Sequence, residues 1–306
     1  MAVLDLASFK CAFPVTAYWF GELNKETGGK VLKFGMSYSS MNYKEVYELP
    51  CNTCYPCQAR RKAVVGLRAM HEASEHLHNC FITLTVNDCY MNEVFPDNSL
   101  NHRPFQLFAK RLRKFISYKY PELPPIKILM CGEYGEEKNR PHFHAIIFGF
   151  DFEDKIKFGK YYISNTLAKL WQYGFHSIGE VNFDSCAYIA KYVVKKKDDK
   201  DYINEDTGVF RKKEYIVYPK GLGLKKFEKY YKDWYNLGYI YSQKGFKMSL
   251  PSYYDRKYAE LEPKKMELIK EERKLKLLQA RIETLTEARN RNNVLKMKEQ
   301  LYSKRR

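Results

Sequence analysis

The chain has 306 residues, enough for one large domain or two smaller ones with a core that needs no disulfide support. Its 53 Lys and Arg against 36 Asp and Glu leave a formal charge of +17, which directs the search for a partner to polyanions such as nucleic acid. No run approaches the roughly 20 uncharged apolar residues that cross a bilayer, and the N-terminus lacks a basic segment followed by an apolar one. A cytoplasmic protein with no membrane partner is expected.

Aromatic residues make up 16% of the chain, 26 of them tyrosines. Bases stack on such rings, so cationic and aromatic content together suit single-stranded nucleic acid, although most of these tyrosines are expected to fill the core. Residues 1–50 carry no chemical signature and read as an N-terminal extension or cover, with Tyr18, Phe20, Val31 and Phe34 forming a short sheet. Cys51, Cys54 and Cys57 follow, the only cysteines with ligand spacing among the eight. Three sulfurs leave a tetrahedral Zn²⁺ site one ligand short, so a structural zinc needs a fourth from Cys80, Cys131 or a histidine; free thiols at a helix start are the alternative.

Gln58 to Glu75 reads as a helix with Val64, Leu67 and His71 along one side, and Phe81 to Val86 as a strand rich in β-branched residues. Asn101 can cap, and Pro104 open, a helix running to about Tyr120, with Phe105, Phe108, Leu112 and Phe115 as its apolar stripe. Between His102 and Tyr120 the sequence contains Arg103, Lys110, Arg111, Arg113, Lys114 and Lys119 and no acidic residue. The face bearing Arg103, Lys110, Arg111, Arg113 and Lys114 is a candidate phosphate-binding surface.

A hairpin comes next, Ile126 to Tyr134 pairing with Pro141 to Phe150 across a polar turn. Residues i and i+2 of a strand share a face, so His142 and His144 can grip one metal ion. Centring the turn near Glu137 and Lys138 sets Glu133 opposite His142, on the same face, which makes Glu133 the natural third ligand. Glu136 and Glu137, in the turn, are weaker candidates. Two imidazoles and a carboxylate form a small open site tolerant of Mg²⁺ or Mn²⁺.

Leu167 to Tyr173 reads as a short helix, Phe175 to Val181 as a strand, and Asp184 as the cap of a helix holding Cys186 to Lys197. Tyr188 and Tyr192, four residues apart, can offer both phenols to one point, with Lys191 beside them and Lys195 and Lys196 as further DNA contacts. Residues 201–255 read as a tyrosine-rich extension packed on the core. Residues 256–306 read as a long charged helical tail, in which Leu268, Leu275, Leu278, Ile282 and Leu285 sketch a short heptad seam for weak dimerisation or docking.

The strand Phe81 to Thr85, Glu133 with His142-Phe143-His144, and Tyr188-Ile189-Ala190-Lys191-Tyr192, in this order, resemble the three motifs of HUH-family rolling-circle replication initiators. The chain is most similar to those of gokushovirus-type Microviridae, small phages with circular single-stranded DNA. Cys51 to Cys57, Cys131-Gly132-Glu133-Tyr134-Gly135 and Leu250-Pro251-Ser252-Tyr253-Tyr254 share in the likeness, which covers about residues 50–255. Val86-Asn87-Asp88 and Ser252 depart from the family pattern.

The resemblance implies an α+β HUH endonuclease fold over residues 51–200, with a five-stranded antiparallel sheet flanked by helices. It implies a divalent ion on the histidine pair, and Tyr188 and Tyr192 as nucleophiles that cut origin or replicative-form DNA to leave a 5′-phosphotyrosine and a 3′-OH. A host polymerase would extend that end and a host helicase separate the strands, since no helicase-type phosphate loop is visible. Competing readings are a plasmid initiator, relaxase or single-strand transposase with the same chemistry, and a non-catalytic zinc-dependent DNA-binding regulator centred on the cysteines.

Overall fold

The computed structural model describes residues 10–25, 29–35, 39, 41–135, 140–191, 203, 208, 210–242, 245, 247–279 and 284–303. Two compact units divide the chain, Met1–Arg60 with Tyr258–Arg306, and Arg61–Lys257. The tyrosine-rich stretch is therefore part of the larger unit, and the two chain ends belong together.

In the first unit, β1 (Val15–Leu23) is the centre of an antiparallel sheet with β2 (Lys30–Phe34) and β3 (Glu45–Leu49) on either side. This is the short sheet expected from Tyr18, Phe20, Val31 and Phe34. Val15 pairs with Leu49, so the chain entering β1 runs beside the chain leaving β3. Helix α1 (Tyr55–Ala73) starts a few residues later and contains the unit boundary.

The second unit is built on β4 (Asn79–Val86), whose burial alternates residue by residue as period-2 patterning requires. A short helix, α2 (Met91–Val94), leads to α3 (Arg103–Lys119), where the Asn101 side chain accepts from the Arg103 N–H at 3.1 Å and Pro104 lies in the first turn. Strands β5 (Lys127–Tyr134) and β6 (Pro141–Phe148) form the expected hairpin. There follow β7 (Lys155–Phe158), β8 (Tyr161–Ser164), α4 (Asn165–Leu170), β9 (Gly174–Gly179), α5 (Phe183–Lys191) and β10 (Tyr215–Val217).

The sheet order is β10-β5-β6-β4-β9-β8-β7, every pair antiparallel. Seven strands replace the five expected. The β7–β8 hairpin extends one edge because Gly159, at φ +59°, turns the chain between the paired Phe158 and Tyr161.

Each face of this sheet has its own cover. Cys80, Ile82, Leu84, Met130, Phe143 and Ala145 point to one side and pack with Phe105, Phe108 and Leu112 of α3 and with Trp171. Each such large side chain contributes about 1.5–3 kcal/mol by leaving water. Leu129, Cys131, Ile146 and Phe148 point to the other side, against Ala69 and Ala73 of α1 and Cys186 and Ile189 of α5.

The cap of α5 is Asn182 rather than the expected Asp184. Asn182 Oδ1 accepts from the Ser185 N–H and Ser185 Oγ from the Asn182 N–H, both at 2.9 Å. That reciprocal box satisfies two free N–H groups at once, while Asp184 sits in the first turn, where its charge favours the helix dipole.

Helix α6 (Leu224–Leu237) and the two-residue strands β11 (Ile240–Tyr241) and β12 (Lys247–Met248) lead into the tail. In place of one long helix the tail has α7 (Ser252–Leu261), α8 (Pro263–Gln279) and α9 (Leu285–Ser303). Pro263 cannot extend the preceding helix, and Thr284 with Glu287 forms a capping box that opens a new one. The heptad seam is cut there, and Leu268 and Leu275 are exposed. Asn292, which interrupts the seam in sequence, is buried with its Oδ1 accepting from the Tyr55 N–H at the start of α1.

Candidate functional site

The β5–β6 ladder sets Glu133 opposite His142 and Cys131 opposite His144, the register expected from centring the turn. On the other side of β6, Thr85 faces His142 and Thr83 faces His144. Phe143 lies between the histidines on the α3 side of the sheet, so both imidazoles project to the α1 and α5 side.

Glu133 and His144 are nearly sequestered, at 4% and 7% exposed. His144 Nε2 lies 2.7 Å from Glu133 Oε1, and the Tyr188 hydroxyl donates to the same oxygen at 3.1 Å. Tyr188 is carried on α5 with its ring 5.0 Å from that of His144, edge to face, and it remains 38% exposed. Phe81 stacks on His144 at 5.7 Å. Gly66 of α1 lets that helix approach α5, since a Cβ there would touch the Ala187 backbone at 3.8 Å.

Thr83 is a site residue that sequence reasoning passed over. Its Oγ1 lies 2.9 Å from His144 Nδ1. A hydroxyl both donates and accepts, so Thr83 can support His144 in either neutral tautomer, including the one that leaves Nε2 free as a ligand. The signal was its place opposite His144 in the strand register.

His142 stands apart from this contact, its ring centroid 6.1 Å from that of His144. Burial lowers its pKa, opposed by the Glu133 charge, which leaves a neutral ring at pH 7. Its Nδ1 and Glu133 Oε2 are buried without a hydrogen-bond partner among the described residues. Buried polar atoms are rarely left so, and a divalent cation would satisfy both. The donor set therefore fits such an ion. Gly135 is part of the same arrangement, because a Cβ there would come within 2.8 Å of His142 Nε2. Arg140 lies beside it, bonded to the Val86 carbonyl at 2.8 Å and paired with Asp88 at 2.5 Å.

Tyr192, Lys195, Lys196, Glu136 and Glu137 lie outside the described residues, as does the side chain of Lys191, the last residue of α5. Arg103, Lys110, Arg111, Arg113 and Lys114 are all on α3, across the sheet from His142 and His144. Lys110, Arg113 and Lys114 are exposed there and line a groove of about 580 Å³ with Pro121 and Pro124, whereas Arg111 donates to the Leu170 carbonyl at 3.0 Å.

Cys51, Cys54 and Cys57 are together in the first unit, and the fourth sulfur beside them is Cys11. Neither Cys80 nor Cys131 joins them, since each is buried in a core on the large sheet. Cys11 is far from the triplet in sequence, and its only signal was being the one cysteine upstream of it.

Residues 79–197 match the family of the ORF2-type replication-associated protein. That stretch opens at β4 and includes Glu133, His142, His144 and Tyr188. The chain is 30% identical over 230 residues to replication-associated protein VP4 of Bdellovibrio phage phiMH2K, an overlap covering 72% of this chain and 70% of that one. It is 33% identical over 245 residues to replication-associated protein ORF2 of Spiroplasma virus 4, covering 76% and 73%. With replication-associated protein ORF4 of Chlamydia phage 1 it shares 34% over 160 residues, 49% of this chain and 39% of that one. No solved structure matches the chain. The protein belongs to this family of phage replication-associated proteins, of the Microviridae type. Among the described residues no helix is long and apolar enough to cross a membrane.

Proposed function

We propose that the protein is a phage replication initiator with an HUH-type fold, which nicks single-stranded origin DNA by tyrosine attack and later rejoins the strand. The observation that carries this reading is the convergence of the Tyr188 hydroxyl and His144 Nε2 on Glu133 Oε1, at 3.1 and 2.7 Å. A phenol with a pKa near 10 is a weak nucleophile at neutral pH, so it needs an acceptor for its proton and relief of charge on the phosphate.

Glu133 supplies the acceptor. As Tyr188 Oη bonds to phosphorus, its proton passes towards Glu133 Oε1, the P–O3′ bond breaks, and the departing oxygen takes a proton to become a 3′-OH. The 5′ side remains as a phosphotyrosine ester, which conserves the bond for religation without a nucleotide cofactor. Bound by His142, His144 and Glu133, Mg²⁺ or Mn²⁺ would polarise the scissile phosphate and offset the charge on its oxygens. His144 is held for this by Thr83, and Tyr188 stays exposed enough for a strand to reach it. Tyr192, four residues on in sequence, is the candidate for the second cut that releases a circle, and Lys191 the candidate to neutralise phosphate. Strand separation and extension of the 3′-OH fall to a host helicase and polymerase.

Incubating purified protein with Mn²⁺ and single-stranded origin DNA tests this directly. An SDS-stable protein–DNA adduct that maps to Tyr188 or Tyr192 and vanishes in the double Tyr188→Phe/Tyr192→Phe variant is expected. Absence of any adduct with active, folded protein, or an adduct unchanged in the double variant, would overturn the proposal.

A further inference from the structure

We propose that Cys11, Cys51, Cys54 and Cys57 bind one Zn²⁺ as a closed tetrathiolate site that fastens the ends of the N-terminal sheet to the start of α1. The four sulfurs lie within 4.8 Å of one another, and Cys11 Sγ and Cys54 Sγ are 3.8 Å apart. A tetrahedron with Zn–S bonds of about 2.3 Å has edges of about 3.8 Å, so this spacing already suits a single ion at the centre. It is far too long for a disulfide, and all four are free thiols. Sulfurs this close leave room for one metal rather than for a multi-iron cluster.

The local chain explains why they converge. Pairing of Val15 with Leu49 brings Cys11, just before β1, beside Cys51, just after β3. Asn52, in the left-handed region at φ +60°, then turns the chain so that Cys54 approaches, and Cys57 follows in the first turn of α1. The sulfurs also receive the donors that favour thiolates. Cys11 Sγ accepts from the Cys51 N–H at 3.2 Å, and Cys51 Sγ accepts from the Cys54 N–H at 3.2 Å and the Thr53 hydroxyl at 3.3 Å. Cys54 and Cys57 are buried with Ala12, and no further His, Cys, Asp or Glu joins the group among the described residues. Four protein ligands and no open position mark a structural rather than catalytic zinc. Binding exchanges four thiol protons, released to solvent, for the metal.

Elemental analysis of the full chain purified without chelators should find a single zinc per molecule, retained in Cys89→Ser, whose exposed cysteine lies elsewhere, and lost in Cys11→Ser. Cobalt(II) exchanged into the wild type should give the intense visible bands of a tetrahedral tetrathiolate, a readout that stands even where Cys11→Ser fails to fold. Folded wild type that holds no zinc and gives no such spectrum would overturn the proposal. So would iron in place of zinc, or a folded Cys11→Ser that keeps its zinc with unchanged affinity.

Discussion

The Tyr188 hydroxyl and the Glu133 carboxylate are joined by a 3.1 Å hydrogen bond that links α5 to β5 across the candidate site. Removing the hydroxyl costs little stability, because Tyr188 is partly exposed and a net hydrogen bond is worth about 0.5–1.5 kcal/mol. Tyr188→Phe should therefore unfold within about 1.5 kcal/mol of wild type in urea, while the yield of covalent adduct through residue 188 falls by about 10³-fold or more. Mass mapping of the adduct in Tyr188→Phe and Tyr192→Phe separately assigns the first cut.

Gly135 tests the metal reading without touching a ligand. A methyl group there would come within 2.8 Å of His142 Nε2, the free end of a ring that can swing away, and Gly135 is not among the glycines with positive φ. Gly135→Ala should keep the wild-type fold by circular dichroism and weaken Mn²⁺ binding by about tenfold, read by calorimetry. Unchanged Mn²⁺ affinity would separate His142 from the ion.

Glu72 is a buried charge that holds three elements of the large unit together. Its carboxylate meets Lys127 at 2.9 Å, His76 at 2.9 Å and the Gly223 N–H at 2.8 Å. Burial pushes its pKa up, but the bonds from His76, Lys127 and Gly223 outweigh this and hold it below the usual carboxylate range. Glu72→Ala strands those partners and should cost about 3–5 kcal/mol, measured by denaturant unfolding; Glu72→Gln should cost less, about 1–3 kcal/mol.

His71, one residue earlier, should make the fold sensitive to mild acid. It is stacked against Trp234 and Tyr254, and burial, aided by the Lys226 charge, lowers its pKa to about 4. An unfolded histidine titrates near 6.5, so between these values the unfolded chain binds the extra proton. The stability present above pH 6.5 should therefore fall as pH drops towards 4, by about 2–3 kcal/mol from this group. Glu72, with its lowered pKa, gives up its contribution only at still lower pH. Urea midpoints compared at pH 7 and pH 5 should drop more for wild type than for His71→Gln.

Much of this was legible from local pattern. Alternating apolar residues in Phe81 to Val86 and Ala145 to Phe148 defined strands, and one assumption about the turn gave the Glu133–His142 pairing. The β7–β8 hairpin was readable from Ile156 and Phe158 mirrored by Tyr161 and Ile163 about Gly159, a signal passed over because the strands are only four residues long. What pattern could not carry was distance between segments. Cys11 finds Cys51 only through pairing of β1 with β3, and the seat of α3 on the face opposite the histidines depends on which side of the sheet Phe143 takes. Its basic side chains read as a phosphate surface in one dimension and stand across the sheet from His142 and His144 in three.

Phe143 also imposes a rule on how this strand can change. Buried among Phe95, Phe105 and Trp171, it decides which way its two neighbours point. A single-codon insertion or deletion within β6 would invert that parity, sending an imidazole into hydrocarbon and a benzyl group to the site, so such frameshift-neutral lesions should be absent from viable progeny even where point substitutions survive.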